Sequence, residues 1–470
     1  MIYIILLLYL GFTFWISLIG VKVKDATPES YFLANRNLST VSLFFTILAT
    51  NFSAFYFLGF AGEGYKIGYA FYTIMALGTA FAGFSFLLIG PKVWLLGKQK
   101  SYITPAELIY GESGSRGLSW LFSAVMIVFT LPYLALQIVG GGYILENLTN
   151  GDISYSLAVM LLTVVTIIYV VIGGMQSVAK TDLKQGVIVF IFMALAVILV
   201  SDSLGGITVA NEKALAIQPD LFTPEGINDR YAPKKWFSFL IFWVFCIPMF
   251  PQLFMRFYIA KDLKTLKNSA LLYAFIPLII SILPVMIGVW GHITFPDLVG
   301  KEADQILPKM LLEHTSPIFA AIVMTGAIAA FMSTLDSQLL ALSTMITRDF
   351  YIPITQKKLS LKQEVFIGRL LVGVLAIIGL LIAWQPFDTI FDMGKMAFTG
   401  VAILFPISLA ITRLGGVKPS FGIIAIIAGL ILLVGFFYGW IPSWLAFGFE
   451  SFVIVILVSC VITFLGLKRR

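Results

Sequence analysis

Apolar residues in this chain run in unbroken stretches of about 20, the length an α-helix needs to cross the hydrocarbon core of a bilayer. Spans are predicted at roughly 2–21, 40–62, 68–90, 118–142, 153–173, 183–203, 235–258, 268–292, 317–346, 364–384, 388–411, 419–440 and 445–467. The pattern describes an all-α integral membrane protein with about 13 transmembrane helices. Stretches that are apolar throughout exclude an outer-membrane barrel, whose strands alternate in pieces of about ten residues.

Polar residues interrupt three of these spans. The ninth carries Ala330-Phe331-Met332-Ser333-Thr334-Leu335-Asp336-Ser337-Gln338 at its middle. Positions 330, 333, 334 and 337 share one helical face, so Ser333, Thr334 and Ser337 form an oxygen-rich stripe beside the small Ala330. An aspartate at the bilayer centre costs at least about 2.5–3.5 kcal/mol, so the stripe must face protein, a cavity or an ion. Hard cations prefer such oxygen ligands. The second span contains Leu48-Ala49-Thr50-Asn51-Phe52-Ser53-Ala54, residue types that favour local backbone hydrogen bonds over helix continuation. The seventh contains Cys246-Ile247-Pro248-Met249-Phe250-Pro251-Gln252, where two prolines remove donors from the helix. Either feature alone is equally compatible with a simple kink. Two broken spans in corresponding halves point to an inverted-repeat transporter whose binding site lies where both break.

Charge orients the chain. With the N-terminus outside, 23 of the 31 Lys and Arg residues fall in inner loops or at the C-terminus, so the net +7 reflects the positive-inside rule and not nucleic-acid binding. The expectation is a multi-pass protein of the cell membrane with its C-terminus cytoplasmic. The first span lacks a basic leader and a small-residue cleavage site, and is read as a helix. At 59% hydrophobic and 12% charged residues, with a mean hydropathy of +0.98, little is left for a soluble domain. Cys246 and Cys460 lie inside separate spans and suggest no disulfide framework. His292 and His314, near outer span ends, are expected at the surface and cannot build a zinc site with two cysteines.

Three segments carry a family resemblance. Tyr31-Phe32-Leu33-Ala34-Asn35-Arg36-Asn37-Leu38, Gly173-Gly174 followed by Thr181-Asp182, and Ala330 to Tyr351 with Thr347-Arg348-Asp349-Phe350-Tyr351 are similar to the sodium/solute symporter family. The resemblance runs nearly end to end. It implies a ten-helix, 5+5 inverted-repeat core with one helix before it and two after. The segments would be 1–39 (extra helix and first inner loop), 40–203 (first repeat), 204–234 (outer loop), 235–411 (second repeat) and 412–470 (two C-terminal helices). It also implies a main sodium site formed by the backbone carbonyls of Ala49, Phe52 and Ala330 and the hydroxyls of Ser333 and Thr334. Five oxygens without an anionic ligand suit a small monovalent cation. By the same resemblance, Asp182 with Ser333, Asp336 and Ser337 matches a second cation site found in some relatives. Asp336 departs from the serine usual there, and Lys180 departs from an aromatic. Asp182 is also placed to act as the N-cap of its helix, and capping preference favours that role over a cation ligand.

The expected function is a sodium-coupled symporter that imports a small organic solute, such as an amino acid, monocarboxylate, pantothenate, sugar or sialic acid. One sodium crossing gains about 2.3 kcal/mol per 100 mV, roughly fifty-fold accumulation. Asn51, Ser53, Tyr56 and Gln137 are the expected substrate-lining residues, and no Lys or Arg is expected at the middle of the second, third, fourth or seventh span, which disfavours a bulky polyanion. Partners are the solute, sodium and the lipid bilayer; no nucleotide is expected, because no Gly-rich phosphate loop is present. A sodium-gated channel or sensor on the same core is the alternative, and a membrane-embedded enzyme the remotest one, lacking a nucleophile and base at membrane depth.

Overall fold

The computed structural model describes residues 2–18 and 33–468; the side chains of residues 10, 12–18, 34 and 173–190 lie outside that description. Among the described residues there is no strand, only two isolated bridges, Leu38 with Ala260 and Val417 with Leu467. In chain order the principal helices are α1 (Ile2–Leu18), α2 (Thr40–Asn51), α3 (Phe60–Ile67), α4 (Ala70–Lys100), α5 (Pro105–Ser113), α6 (Arg116–Leu148), α7 (Tyr155–Leu204), α8 (Ile207–Ile217), α9 (Pro233–Cys246) and α10 (Pro251–Phe254). They continue with α11 (Leu263–Ile280), α12 (Ile282–Thr294), α13 (Ile306–His314), α14 (Pro317–Met345), α15 (Leu361–Trp384), α16 (Ile390–Ala402), α17 (Phe405–Arg413), α18 (Pro419–Phe437) and α19 (Ser451–Leu465). Serine and threonine start many of them. The Ser39, Ser115, Ser154 and Ser316 hydroxyls each accept a first-turn N–H, and Thr104 with Glu107 and Ser360 with Gln363 form capping boxes.

The described residues contain 8 helices long and apolar enough to cross a membrane, or up to 11 if each bent pair is one span. The expected count of 13 is therefore not reached: the first and last expected spans are α1, with 17 described residues, and α19, with 15. The two expected breaks are present. Thr40–Asn51 and Phe55–Ile67 meet at 62°, and Pro233–Met249 and Pro251–Ile259 meet at 67°. A third bend, of 70°, separates Ile191–Leu204 from α8.

The helical run of α7 is 50 residues long, yet its described arms pack on α14 in opposite senses. Tyr169 reaches Met332 and Asp336 while Leu162 lines a groove with Ile328 nearer the α14 N-terminus; on the other arm, Phe192 packs at Gly326 and the later Ser203 reaches His314, which precedes α14. The arms are thus the two antiparallel spans expected at 153–173 and 183–203. Large apolar side chains such as Leu7, Phe84, Ile198, Phe366, Leu381, Ile431 and Phe437 are exposed on the outer faces of these helices, where lipid replaces water as their solvent. The termini fall at opposite ends of the bundle. Tyr3 donates to Asp152, beyond the Leu148 end of α6, whereas the Lys418 N–H bonds the Gly466 carbonyl at the start of α18, which packs near Gly117 at the other end of α6.

Close packing knits α3 to α12 and to the segment before α13. A Cβ on Gly64 would lie 2.7 Å from the Val285 carbonyl oxygen, and one on Gly62 would lie 2.7 Å from the Asp304 carboxylate. Asp304 sits on the loop before α13, is 1% exposed, and accepts the Ile390 N–H at 2.7 Å, capping the start of α16. Lys66, Glu63 and Asp392 supply the charges around it. Burial pushes its carboxyl up to about 7, against the opposing pull of Lys66. The folded state therefore holds a proton on Asp304 that the unfolded chain has already released, so this contribution to stability is full at acid pH and is lost as pH rises toward 7. Thermal unfolding of the purified protein is expected to shift to lower temperature between pH 5 and 7.5, and Asp304→Asn to flatten that slope. An unchanged slope in the variant would assign the pH dependence to other groups.

Candidate functional site

The site grows from the break between α2 and α3. α2 ends because Phe52 leaves helical geometry (φ −80°, ψ 93°) after its N–H bonds the Leu48 carbonyl at 2.8 Å. The carbonyls that follow Leu48 lose their i+4 partners and form the negative end of the helix dipole at mid-membrane. Thr334 of α14 meets them. Its Oγ1 lies 3.3 Å from the Ala49 carbonyl oxygen and 3.3 Å from the Ala330 carbonyl oxygen, and Ser333 and Thr334 are both 0% exposed. Ala49, Ala330 and Thr334 thus bring three of the five expected sodium-ligand oxygens into one cluster, with Ser333 on the adjoining position and Phe52 at the break. A cation there would be solvated by dipoles whose negative ends already converge.

One turn further along α14 the arrangement changes. Asp336 accepts the Tyr169 hydroxyl at 2.7 Å. Ser337 lies 3.4 Å from the Thr50 hydroxyl, and both oxygens accept Nη2 of Arg256, at 2.8 Å and 3.0 Å. Arg256, on the turn Met255–Ile259 that extends α10, is only 1% exposed. The expectation that the seventh span carries no mid-membrane cation is corrected here: the break at Phe250–Pro251 turns the chain so that a residue counted as an inner-loop arginine points back into the core. The side chains of Asp182 and Lys180 lie outside the described residues.

Beside the converging carbonyls lies a narrow cavity walled by Phe52, Phe55, Phe60, Trp243, Phe250 and Phe398. Asn51, Tyr56, Thr79, Tyr133, Tyr273 and Ser281 supply its polar lining. Asn51 and Tyr56 therefore sit where substrate-lining residues were expected. Ser53 and Gln137 do not. Gln137 accepts the Ala54 N–H at 2.9 Å and donates to the Tyr133 carbonyl, and Ser53 accepts the Tyr133 hydroxyl at 3.1 Å; both hold the break in place from outside the cavity. The Asn51 amide donates to Tyr273. Trp243 Nε1 in the wall has no partner, and Tyr56 Oη and Ser281 Oγ have none but each other. Trp243, Tyr273 and Ser281 were not singled out from sequence, although Pro277 between the latter two signals another local weakness in helix bonding.

The motif Thr347–Tyr351 anchors the C-terminal end of α14 and does not line the cavity. Arg348 pairs with Glu107 at 2.7 Å and Glu364 at 2.6 Å, while the Asp349 carboxylate accepts the Thr104 and Ser123 hydroxyls, each at 2.6 Å. Arg36 of the first motif donates to the Tyr102 and Tyr258 carbonyls. His292 and His314 are half-buried and bonded, to the Tyr65 carbonyl and to Ser203 and Thr294, not free at the surface as expected. Cys246 and Cys460 are free thiols.

The model of the sodium:solute symporter family matches residues 31–412. The chain belongs to that family. It is 27% identical over 403 residues to a sodium/pantothenate symporter of Haemophilus influenzae, covering 85% of this chain and 82% of the relative. It is 28% identical over 394 residues to the osmoregulated proline transporter OpuE of Bacillus subtilis, covering 81% and 77%. A sodium/proline symporter of Staphylococcus aureus is 24% identical over 485 residues, covering 99% and 91%. Among solved structures, a substrate-bound, outward-open Na+-coupled sialic acid symporter superposes with a TM-score of 0.81 at 17% identity, over 99% of this chain and 97% of that one. The fold is therefore the inverted-repeat symporter core, and sodium is the coupling ion of the symporter.

Gln137→Leu in this symporter is expected to leave the Ala54 N–H buried without an acceptor, costing about 1–3 kcal/mol. The measurement is thermal stability, with sodium dependence unchanged in the protein that folds; a sodium shift without a stability loss would place Gln137 in the site and not behind it.

Proposed function

We propose that this protein imports a small solute with an apolar body and a single carboxylate, coupled to sodium bound by Ala49, Phe52, Ala330, Ser333 and Thr334. The observation that carries the reading is the shared wall between cavity and ion cluster. Phe52 contributes its backbone to the break where the carbonyls converge and its ring to the cavity. A carboxylate in the cavity would lie beside the bound cation, so each ligand would lower the other's cost of desolvation and bind more tightly in its presence. The polar wall agrees with this: the Trp243 indole N–H is donor only and unpartnered, and the Tyr56–Ser281 hydroxyl pair has a donor to spare, so a ligand bringing acceptor oxygens satisfies both. The aromatic wall suits an apolar body, and among the described residues no charged side chain lines the cavity to receive a second anionic group. Pantothenate and proline, for which relatives are named, each carry a single carboxylate. The excess of Lys and Arg on one side and the opposed termini support an N-terminus outside and a C-terminus in the cytoplasm.

Two measurements test the reading. In a thermal-shift screen with sodium or potassium, monocarboxylates such as proline and pantothenate are expected to raise the melting temperature in sodium alone, following RT ln(1 + [L]/Kd). Sugars that stabilise where monocarboxylates do not would overturn the solute class. Ser333→Ala and Thr334→Ala are each expected to raise the sodium concentration for half-maximal effect on the order of tenfold, the loss of one oxygen from a charged ligand. Unaltered sodium dependence in both variants would overturn the ion site.

A further inference from the structure

The buried arginine is the feature that the sodium-coupled reading does not use. Arg256 is a permanent cation, since a guanidinium does not deprotonate in proteins. It is held at membrane depth by two hydroxyls, Thr50 and Ser337, which belong to different helices and are 3.4 Å apart. Thr50 follows Ala49 directly, and Ser337 lies one turn from Ser333 and Thr334, so the guanidinium adjoins the sodium cluster on the inner side of α14. A second metal cation on Ser337 would have to displace an Nη2 that already sits 2.8 Å from its oxygen. The hydroxyl pair offers oxygens of the kind that sodium takes, and a protein cation holds them.

We propose that Arg256 is a tethered substitute for a second coupled cation, so that one sodium, and not two, binds each protein molecule. The inference rests on the assignment of Ala49, Ala330, Ser333 and Thr334 to the main sodium site. With Thr50 and Ser337, Arg256 joins the three parts meeting here: the end of α2, the turn after α10 and the middle of α14. It belongs to the inner limb of the second broken span, so its charge moves with that limb, whereas a free ion in the same place would cross the membrane.

The test is equilibrium binding of radioactive sodium to the purified full-length protein in lipid nanodiscs, with no solute present. Wild type is expected to bind one sodium per chain with a Hill coefficient of about one, and Thr334→Ala to weaken it. Arg256→Gln keeps hydrogen-bonding capacity but removes the charge, and is expected to bind two. Arg256→Lys keeps a tethered cation and is expected to remain at one. Two sodium ions in wild type, or one in a folded Arg256→Gln, would overturn the proposal. Should the glutamine variant fail to fold, the wild-type stoichiometry still decides. The two readings separate cleanly: Arg256→Gln remaining at one, with the sodium still sensitive to Thr334→Ala, refutes the tethered cation and leaves the main site intact. Sodium binding indifferent to Thr334 refutes the main site, and the proposal with it.

Discussion

A backbone helix that stops halfway across a membrane must find partners for the carbonyls it leaves behind, because no water is present to take them. Everything else in this symporter is arranged around that requirement. α2 ends at Asn51, and the partners come from other elements: Thr334 at the Ala49 carbonyl on one side of the break, Gln137 at the Ala54 N–H on the other. Convergent carbonyls with too few donors make an electronegative region. The same break frees Asn51, Phe52 and Tyr56 to wall the cavity, so both features arise at one discontinuity.

Polar residues at this depth fall into two kinds. Gln137, Ser53 and Tyr133 satisfy one another and the backbone, and they stabilise a geometry that a continuous helix would not have. Trp243 keeps an indole N–H without a partner against the cavity, and Tyr56 and Ser281 have only each other, an arrangement that costs folding free energy. The second kind leaves hydrogen-bonding capacity facing the cavity.

The ends of the bundle are held by charge in a different way. At the C-terminal end of α14 Arg348 bridges Glu107 and Glu364, and Asp349 gathers two hydroxyls, tying α14 to α5, α6 and α15. Asp304 caps α16 beside Gly62 of α3. Both assemblies connect a half of a broken span or α14 to the surrounding frame. A change in tilt of these helices has to rearrange them.

The sequence by itself determined the class of the protein, because hydropathy is local: a span needs only about 20 consecutive apolar residues, and proline or clustered Thr, Asn and Ser disrupt a helix wherever it packs. It also determined the oxygen stripe of α14, whose spacing follows from helix geometry alone. Which of those oxygens meet the Ala49 carbonyl, and which meet a cation already supplied by the protein, is decided only when the two broken spans come together. Thr334 and Ser337 look alike in the sequence; one faces backbone carbonyls and the other faces Arg256. The same holds for Gln137 and Tyr273, both polar residues within apolar spans: one braces the break and the other lines the cavity. Their difference is a matter of rotation about a helix axis relative to neighbours distant in the chain. Arg256 is the sharpest case, since local charge counting assigns it to a loop and only the 67° bend of its span carries it into the core.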